Sequence, residues 1–436
     1  MNAMKKMLWL AAASAAIALA ACGGGSASSS DVSWNAQPDW PIGSNTSGSD
    51  SSATPASGDN TLSIRVDKSV NSVNVLLASI KVCVPGAQSS AQCVSVDNML
   101  VDTGSTGVRI AARAIPTIAP LLLTQIGAPD DTSSAWPIAE CMPFASGYTW
   151  GSVKRADIMM GSKTASNLPI QLIADGAFAT PDSCSDYGGA DLGSLPALDD
   201  LTSYSINGII GIDNFASDSA DATKTAIPGN YYYCTAQDKC ISTRMPANKQ
   251  VANPVAAFPT DNNGTVIRLP ALAAGGQASV TGQLVFGINT QQNNAMPARP
   301  TVLAVDKYGT FTTQYQGTAF NRSMIDSGTN TYAFADDAIS HDPGGWYLPP
   351  SPLQLTATIE PNDGSSAPVQ IPFSIGNAIS LLATGNAALD NIGSYFAGTA
   401  SNRMFLWGLP FFYGRSVYTV IGTAKIGQRT GPFVAF

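Results

Sequence analysis

Two stretches far apart in the chain share one chemical order: Asn98-Met99-Leu100-Val101-Asp102-Thr103-Gly104-Ser105-Thr106-Gly107 and Met324-Ile325-Asp326-Ser327-Gly328-Thr329-Asn330. In each, an apolar run delivers an Asp straight into a turn built of hydroxyl residues and glycine. A strand that ends on a carboxylate and reverses at once needs small residues that tolerate tight backbone geometry. Each turn is also followed, downstream, by an apolar-apolar-Gly run: Asn207-Gly208-Ile209-Ile210-Gly211-Ile212 after the first, and Phe405-Leu406-Trp407-Gly408-Leu409-Pro410-Phe411-Phe412 after the second. The pairing occurs twice in the same order, which constrains the fold to one that can use the unit twice. If the two turns face each other, their carboxylates come within hydrogen-bonding distance, and two like charges that close cannot both ionise. One keeps a proton. Such a pair can hold a water, the ionised member taking its proton while the protonated member donates to a carbonyl.

Asp102-Thr103-Gly104-Ser105 and Asp326-Ser327-Gly328-Thr329 resemble the two active-site loops of pepsin-like aspartic proteases. The runs through Gly211 and Gly408 resemble the buried strands that underpin those loops, and Gly287 in Gln283–Ile288 and the segment Tyr418 to Gly427 also look like family strands. The resemblance covers residues 62 to 436. The chain is similar as well to an uncharacterised group of bacterial lipoproteins, a domain of unknown function sharing this Cys-rich variant of the pattern; that similarity names no substrate. The resemblance implies a mainly β, bilobal pepsin-like fold with few short helices. It implies an aspartic endopeptidase acting on a peptide or protein without a cofactor, with Asp102 and Asp326 catalytic. Thr103 and Ser327 would brace the loops against each other, Gly104 and Gly328 would let them turn, and Ser105 and Thr329 would hydrogen-bond the outer carboxylate oxygens.

Two positions depart from the family pattern. Arg109 stands where a Trp is usual, and Asn330 where a small hydroxyl residue is usual. The covering hairpin of the family, which places a Tyr over bound peptide and excludes water, corresponds to a shortened Phe144-Ala145-Ser146-Gly147-Tyr148-Thr149-Trp150-Gly151, with Tyr148 the first candidate for the covering residue and Phe144 the second. The alternative to an enzyme is a catalytically idle pepsin-like lipoprotein serving as a peptide- or protein-binding or envelope-structural module. Intact Asp, Gly and hydroxyl positions favour the enzyme; the shortened hairpin favours the module.

Composition narrows the remaining classes. At 436 residues, 44% hydrophobic and 12% charged, the chain can bury a large core and divide into two units. A formal charge of -8 with 22 Lys and Arg argues against a nucleic-acid partner, which needs basic surface to displace counterions. The single histidine, His341, lies in a turn-like Ser340–Gly345 and leaves no His-rich metal site and no Ser-His-Asp or Cys-His mechanism. No metal is expected: close CxxC pairs are missing, and Asp213, Asp218 and Asp221 lack the Gly and Glu of a calcium-binding EF-hand loop. Alternating β-branched stretches at Val73–Val84, Val94–Val101, Ala156–Met160 and Pro169–Ile173 predict strands, and short helical signals fall at Ala111–Ala114 and Phe334–Ile339. The strand pattern restarts at Gly264, which puts a lobe boundary near 248–262: an N-terminal β lobe over 61–255 and a C-terminal β lobe over 256–436.

The first 22 residues read as an export signal, with Lys5 and Lys6 before an apolar run from Met7 to Ala21. Leu19-Ala20-Ala21-Cys22 resembles a bacterial lipobox, which implies lipidation of Cys22 and anchoring in the cell envelope; Gly23 in place of Asp implies the outer membrane. Residues 23–60 are Gly, Ser, Asn, Asp and Pro with scarcely any apolar residue, a composition that predicts a disordered tether. It holds no Lys or Arg, so no basic inhibitory prosegment is expected. The remaining six cysteines of an exported chain predict disulfides, with fifteen pairings open. Cys83 and Cys93 bracket a Pro-Gly turn, Cys234 and Cys240 a short polar loop, and Cys141 and Cys184 are left to bridge the segment around Tyr148. Oligomeric state leaves no signature in the sequence.

Overall fold

A computed structural model of the chain describes residues 58–144, 147–186, 190–191, 206–397 and 403–436. Cys22 and the segments expected to be an export signal and a tether, up to residue 57, lie outside the described residues. Within them the chain is mainly β: a 17-stranded sheet, a seven-stranded sheet and a two-stranded ribbon, with two short α-helices, Asp182–Ser185 and Ala378–Ala383. No helix among the described residues is long and apolar enough to cross a membrane.

Strands form where the period-2 alternation is cleanest. Leu77–Cys83 buries Ile80 and Val82 and turns Ser79 and Lys81 to solvent. The long hairpin Gly147–Met160 with Lys163–Ile173 pairs from Gly151 opposite Ile173 to Met160 opposite Lys163, with one register shift between Ala156 and Ile158. The large sheet draws on both ends of the chain. Thr61–Val66 pairs antiparallel with Val280–Phe286, and the C-terminal Phe433–Ala435 pairs with both Val302–Ala304 and Ser416–Val420. The seven-stranded sheet runs Val369–Ile375, Leu353–Glu360, Phe311–Tyr315, Thr318–Ile325, Leu406–Trp407, Tyr332–Phe334, Gly393–Tyr395. Around residues 248 to 262 the chain makes two short 3-10 turns, Ala247–Lys249 and Val255–Ala257, before Gly264–Arg268 resumes strand.

Both apolar-apolar-Gly runs do the same structural task. Gly208–Ile212 lies between the two arms of the first Asp turn, parallel to Met99–Asp102 and antiparallel to Thr106–Ile110. Leu406–Trp407 lies between the arms of the second, parallel to Met324–Ile325 and antiparallel to Tyr332–Ala333. Behind the second turn sits an aromatic core in which Phe405 stacks on Phe334 at 4.5 Å and on Trp407 at 4.6 Å between ring centres. Trp407 is fully buried and its indole N–H donates to the Thr313 hydroxyl at 3.0 Å, so its polar edge loses nothing on burial.

Phe334–Ile339 is not helical, contrary to its local propensity. Phe334 ends a strand, and Asp336 captures the backbone that a helix would use: its carboxylate accepts from the Ala338 N–H at 2.9 Å and from the Tyr315 hydroxyl at 2.7 Å. The signal at Ala111–Ala114 reduces to a single 3-10 turn, Ala112–Ala114. The six cysteines pair as Cys83–Cys93, Cys141–Cys184 and Cys234–Cys240.

Candidate active site

The two Asp turns meet. Each carboxylate packs on the other turn's glycine: a Cβ built on Gly104 would fall 2.6 Å from the Asp326 carboxyl carbon, and one on Gly328 would fall 2.5 Å from Asp102 Oδ1. Any side chain there would drive the carboxylates apart. The two turns are internally alike. Gly104 N–H donates to Asp102 Oδ1 at 2.7 Å, and Gly328 N–H to Asp326 Oδ1 at 2.8 Å. The Ser105 hydroxyl donates to Asp102 Oδ2 at 2.5 Å, and the Thr329 hydroxyl to Asp326 Oδ2 at 2.6 Å.

Reciprocal bonds between Thr103 and Ser327 clamp the turns together. The Ser327 hydroxyl accepts from the Thr103 N–H at 3.1 Å and donates to the Val101 carbonyl at 2.8 Å; the Thr103 hydroxyl accepts from the Ser327 N–H at 2.9 Å and donates to the Ile325 carbonyl at 3.1 Å. Each of the two buried hydroxyls thus donates one bond and accepts one across the pair of turns. Gly211 and Gly408 let the third strands press against the turns: an added Cβ would lie 2.7 Å from the Ser105 carbonyl oxygen in one case and 2.5 Å from the Thr329 carbonyl oxygen in the other.

Asp102 is 6% exposed. Burial first, then the negative charge and the hydrogen bond of Asp326, push its carboxyl well above the usual carboxylate range, while the bonds from Ser105 and Gly104 pull it partly back. A carboxyl that holds its proton beside one that supplies negative charge is an acid paired with a base.

The surroundings of the two turns differ. Asn330 Nδ2 donates to the Val73 carbonyl at 2.5 Å, and the Asn330 carbonyl accepts from Asn74 Nδ2 at 2.8 Å. Asn74 in turn accepts from the Leu389 N–H and the Tyr413 hydroxyl, so the second turn is supported by neutral groups. Beneath the first turn lies a charged cluster. Arg109 is fully buried and forks onto Glu140, with Nη2 2.7 Å from Oε1 and Nε 3.2 Å from Oε2; Nη2 also reaches Asp218 at 3.2 Å, and Nη1 donates to the Thr106 carbonyl at 2.7 Å. The Tyr231 hydroxyl lies 2.9 Å from Asp218 and 3.3 Å from Glu140. Asp213 accepts from the Thr106 hydroxyl at 2.6 Å, and its own N–H donates to the Ser105 carbonyl. Asp221, the third member of the acidic run, faces Lys307 at 3.3 Å instead.

Burial pulls the Arg109 guanidinium down, and the charges of Glu140 and Asp218 more than reverse that, so it stays charged. Burial pushes Glu140 up to about 8 against the pull of Arg109, with Asp218 beside it adding to the rise. Burial likewise pushes Asp213 up to about 7.

Of the two covering candidates, Tyr148 is packed inward among Ala139, Cys141, Trp150, Cys184 and Tyr232. Phe144 is half-buried, directly opposite Gly147 across the hairpin, with the Arg109 guanidinium 5.9 Å from its ring centre. Glu140, Asp213, Asp218, Tyr231 and Asn74 escaped the sequence reading as site residues. The available signal was Arg109 itself: a cation inside the apolar strand Thr106-Gly107-Val108-Arg109-Ile110-Ala111 must have a buried carboxylate partner, and only two glutamates exist in the chain, one of them in the apolar Ile138–Met142.

The model of the family described as "Protein of unknown function (DUF3443)" matches residues 56–436, and the chain belongs to that family. No curated protein matches the chain.

Proposed function

Starting from membership of a family without an assigned activity, we propose that the chain is an aspartic endopeptidase with a bilobal pepsin-like fold, tethered to the bacterial outer membrane by lipid on Cys22. The observation that carries the reading is the facing pair Asp102 and Asp326, each with its own glycine N–H and hydroxyl donor and each wedged on the other turn's glycine. The duplicated third strands support the fold, one lobe centred on each turn.

In the proposed reaction a water sits between the carboxyls. Asp326 takes a proton from it as it attacks the peptide carbonyl, and Asp102, whose carboxyl is pushed well above the usual carboxylate range by burial and by Asp326, donates to the carbonyl oxygen. The tetrahedral intermediate then collapses as Asp326 passes the proton it took to the leaving nitrogen and Asp102 recovers one from a hydroxyl of the intermediate, which restores both carboxyls. The bonds from Ser105 and Thr329 keep the outer oxygens occupied, so the inner oxygens face the water. Phe144, not the inward-packed Tyr148, suits the role of covering aromatic. No cofactor enters this chemistry.

The test is cleavage of a peptide library from about pH 3 to about pH 7, with and without a statine-type inhibitor. Cleavage that the inhibitor blocks supports the enzyme. Binding of peptides by the wild type without cleavage assigns the chain to the alternative, an idle binding module.

A further inference from the structure

Among the described residues the charged cluster under the first turn has no counterpart under the second, and it touches the first Asp loop at two successive residues. Ser105, whose hydroxyl holds the outer oxygen of Asp102, has its carbonyl fixed by the Asp213 N–H. Thr106 has its carbonyl fixed by Arg109 and its hydroxyl by Asp213. On its other side Arg109 lies against the Phe144 ring and forks onto Glu140, which sits in the same strand as Phe144, Ile138–Phe144. Gln171 extends the tie, donating to the Glu140 carbonyl at 2.9 Å and accepting from the Thr149 hydroxyl at 2.7 Å.

We propose that Arg109, held by Glu140 and Asp218, is the positioning residue that fixes the first carboxylate turn and the Phe144 hairpin relative to each other. It touches neither carboxyl of the reacting pair and acts through Thr106 on one side and through the hairpin strand on the other.

The balance of charge makes this tie dependent on one proton. Glu140 is faced by Arg109 from the strand Thr106–Ala111, by Asp218 from the loop after Gly208–Ile212, and by Tyr231 from Tyr231–Ala236, with Asp213 on the far side of Thr106. One guanidinium and two carboxylates sharing a proton are neutral, which a buried site requires. When that proton leaves, an uncompensated negative charge appears beside Thr106, and the turn and hairpin loosen together. Glu140→Gln reproduces the protonated state permanently, its amide able to accept from Arg109 and donate to Asp218.

The experiment is hydrogen–deuterium exchange on the full chain, corrected for intrinsic rates, at about pH 6 and about pH 9. In the wild type, protection of 103–107 and of the hairpin strands Ile138–Phe144 and Gly147–Met160 falls about tenfold over that interval while Leu353–Glu360 is unchanged. In Glu140→Gln the fall shrinks to the part that Asp213 contributes at Thr106, and the hairpin strands no longer respond. Arg109→Lys, which cannot fork, loosens the same segments already at the lower pH. An equal pH response in wild type and Glu140→Gln, or none in the wild type, overturns the proposal, and this holds even if the Arg109 variant does not fold. Exchange does not depend on the peptidase reading. A hairpin response lost in Glu140→Gln with no peptide cleavage by the wild type keeps the positioning role and removes the enzyme; cleavage by the wild type with an unaltered response in Glu140→Gln does the reverse.

Discussion

The two carboxylate turns are near copies in their inner bonds and strangers in their support. Asp102 and Asp326 each accept from a glycine N–H and a hydroxyl at almost the same distances. Below that layer, the second turn rests on neutral amides and an aromatic core around Asn74, Asn330, Phe405 and Trp407. The first rests on Arg109, Glu140, Asp218, Asp213 and Tyr231, all buried or nearly so. The geometry that the chemistry needs is duplicated; what holds that geometry is not. A neutral support is indifferent to pH, whereas a buried ionic one is stable only while its proton count is right.

Breaking the ionic support should cost most. Arg109→Met leaves Glu140 and Asp218 without their cation, and removing one partner of a buried ion pair costs about 3–5 kcal/mol; chemical denaturation of variant and wild type measures it. On the other side, Asn74→Ala strands the Tyr413 hydroxyl and the Leu389 N–H but no charge, so about 1–3 kcal/mol is expected by the same measurement. If the two substitutions cost the same, the contrast between supports is wrong.

Opening the Cys141–Cys184 bridge, which ties the hairpin strand to Asp182–Ser185, should cost about 2–5 kcal/mol, read as a fall in thermal midpoint of Cys141→Ala/Cys184→Ala.

The pH response sharpens the comparison further. Asp102, Glu140 and Asp213 all bind their protons more tightly in the folded chain than they would unfolded. The stability they contribute is therefore whole below the ordinary carboxylate range and is lost as pH rises through the folded values, about 7 for Asp213 and about 8 for Glu140. Thermal midpoints should fall from acid toward pH 8, and Glu140→Gln should flatten that slope while Asn74→Ala leaves it as in the wild type. A wild-type midpoint that rises over this interval contradicts the cluster's protonation.

The duplicated turns were legible because their information is local: carboxylate, hydroxyl and glycine lie within a few residues, and the third strand is a short apolar run with a glycine where the backbone must approach. The disulfides were legible for a similar reason, two of them closing short loops. The charged cluster was not, because it gathers Arg109, Glu140 and Asp218 from segments 31 and 109 residues from Arg109, and only the tertiary fold brings them together. Tyr148 and Phe144 differ by a matter of face. The hairpin reverses after Phe144, and Tyr148, paired with Pro143, is directed into the cluster with Trp150 and Tyr232. Phe334–Ile339 failed because one buried side chain, Asp336, outcompeted helix propensity for the backbone.

The central claim is that Asp102 and Asp326 act as one proton-sharing unit, and the most direct measurement is peptide turnover by wild type, Asp102→Asn, Asp326→Asn and the double variant across pH. The wild type should give a bell-shaped profile, each single variant should lose about 10²–10⁴ in rate, and the double variant should be scarcely worse than either, because two groups that share one task do not contribute additively. An Asp326→Asn protein that cleaves as fast as the wild type, or a double variant whose loss is the product of the single losses, would contradict the account.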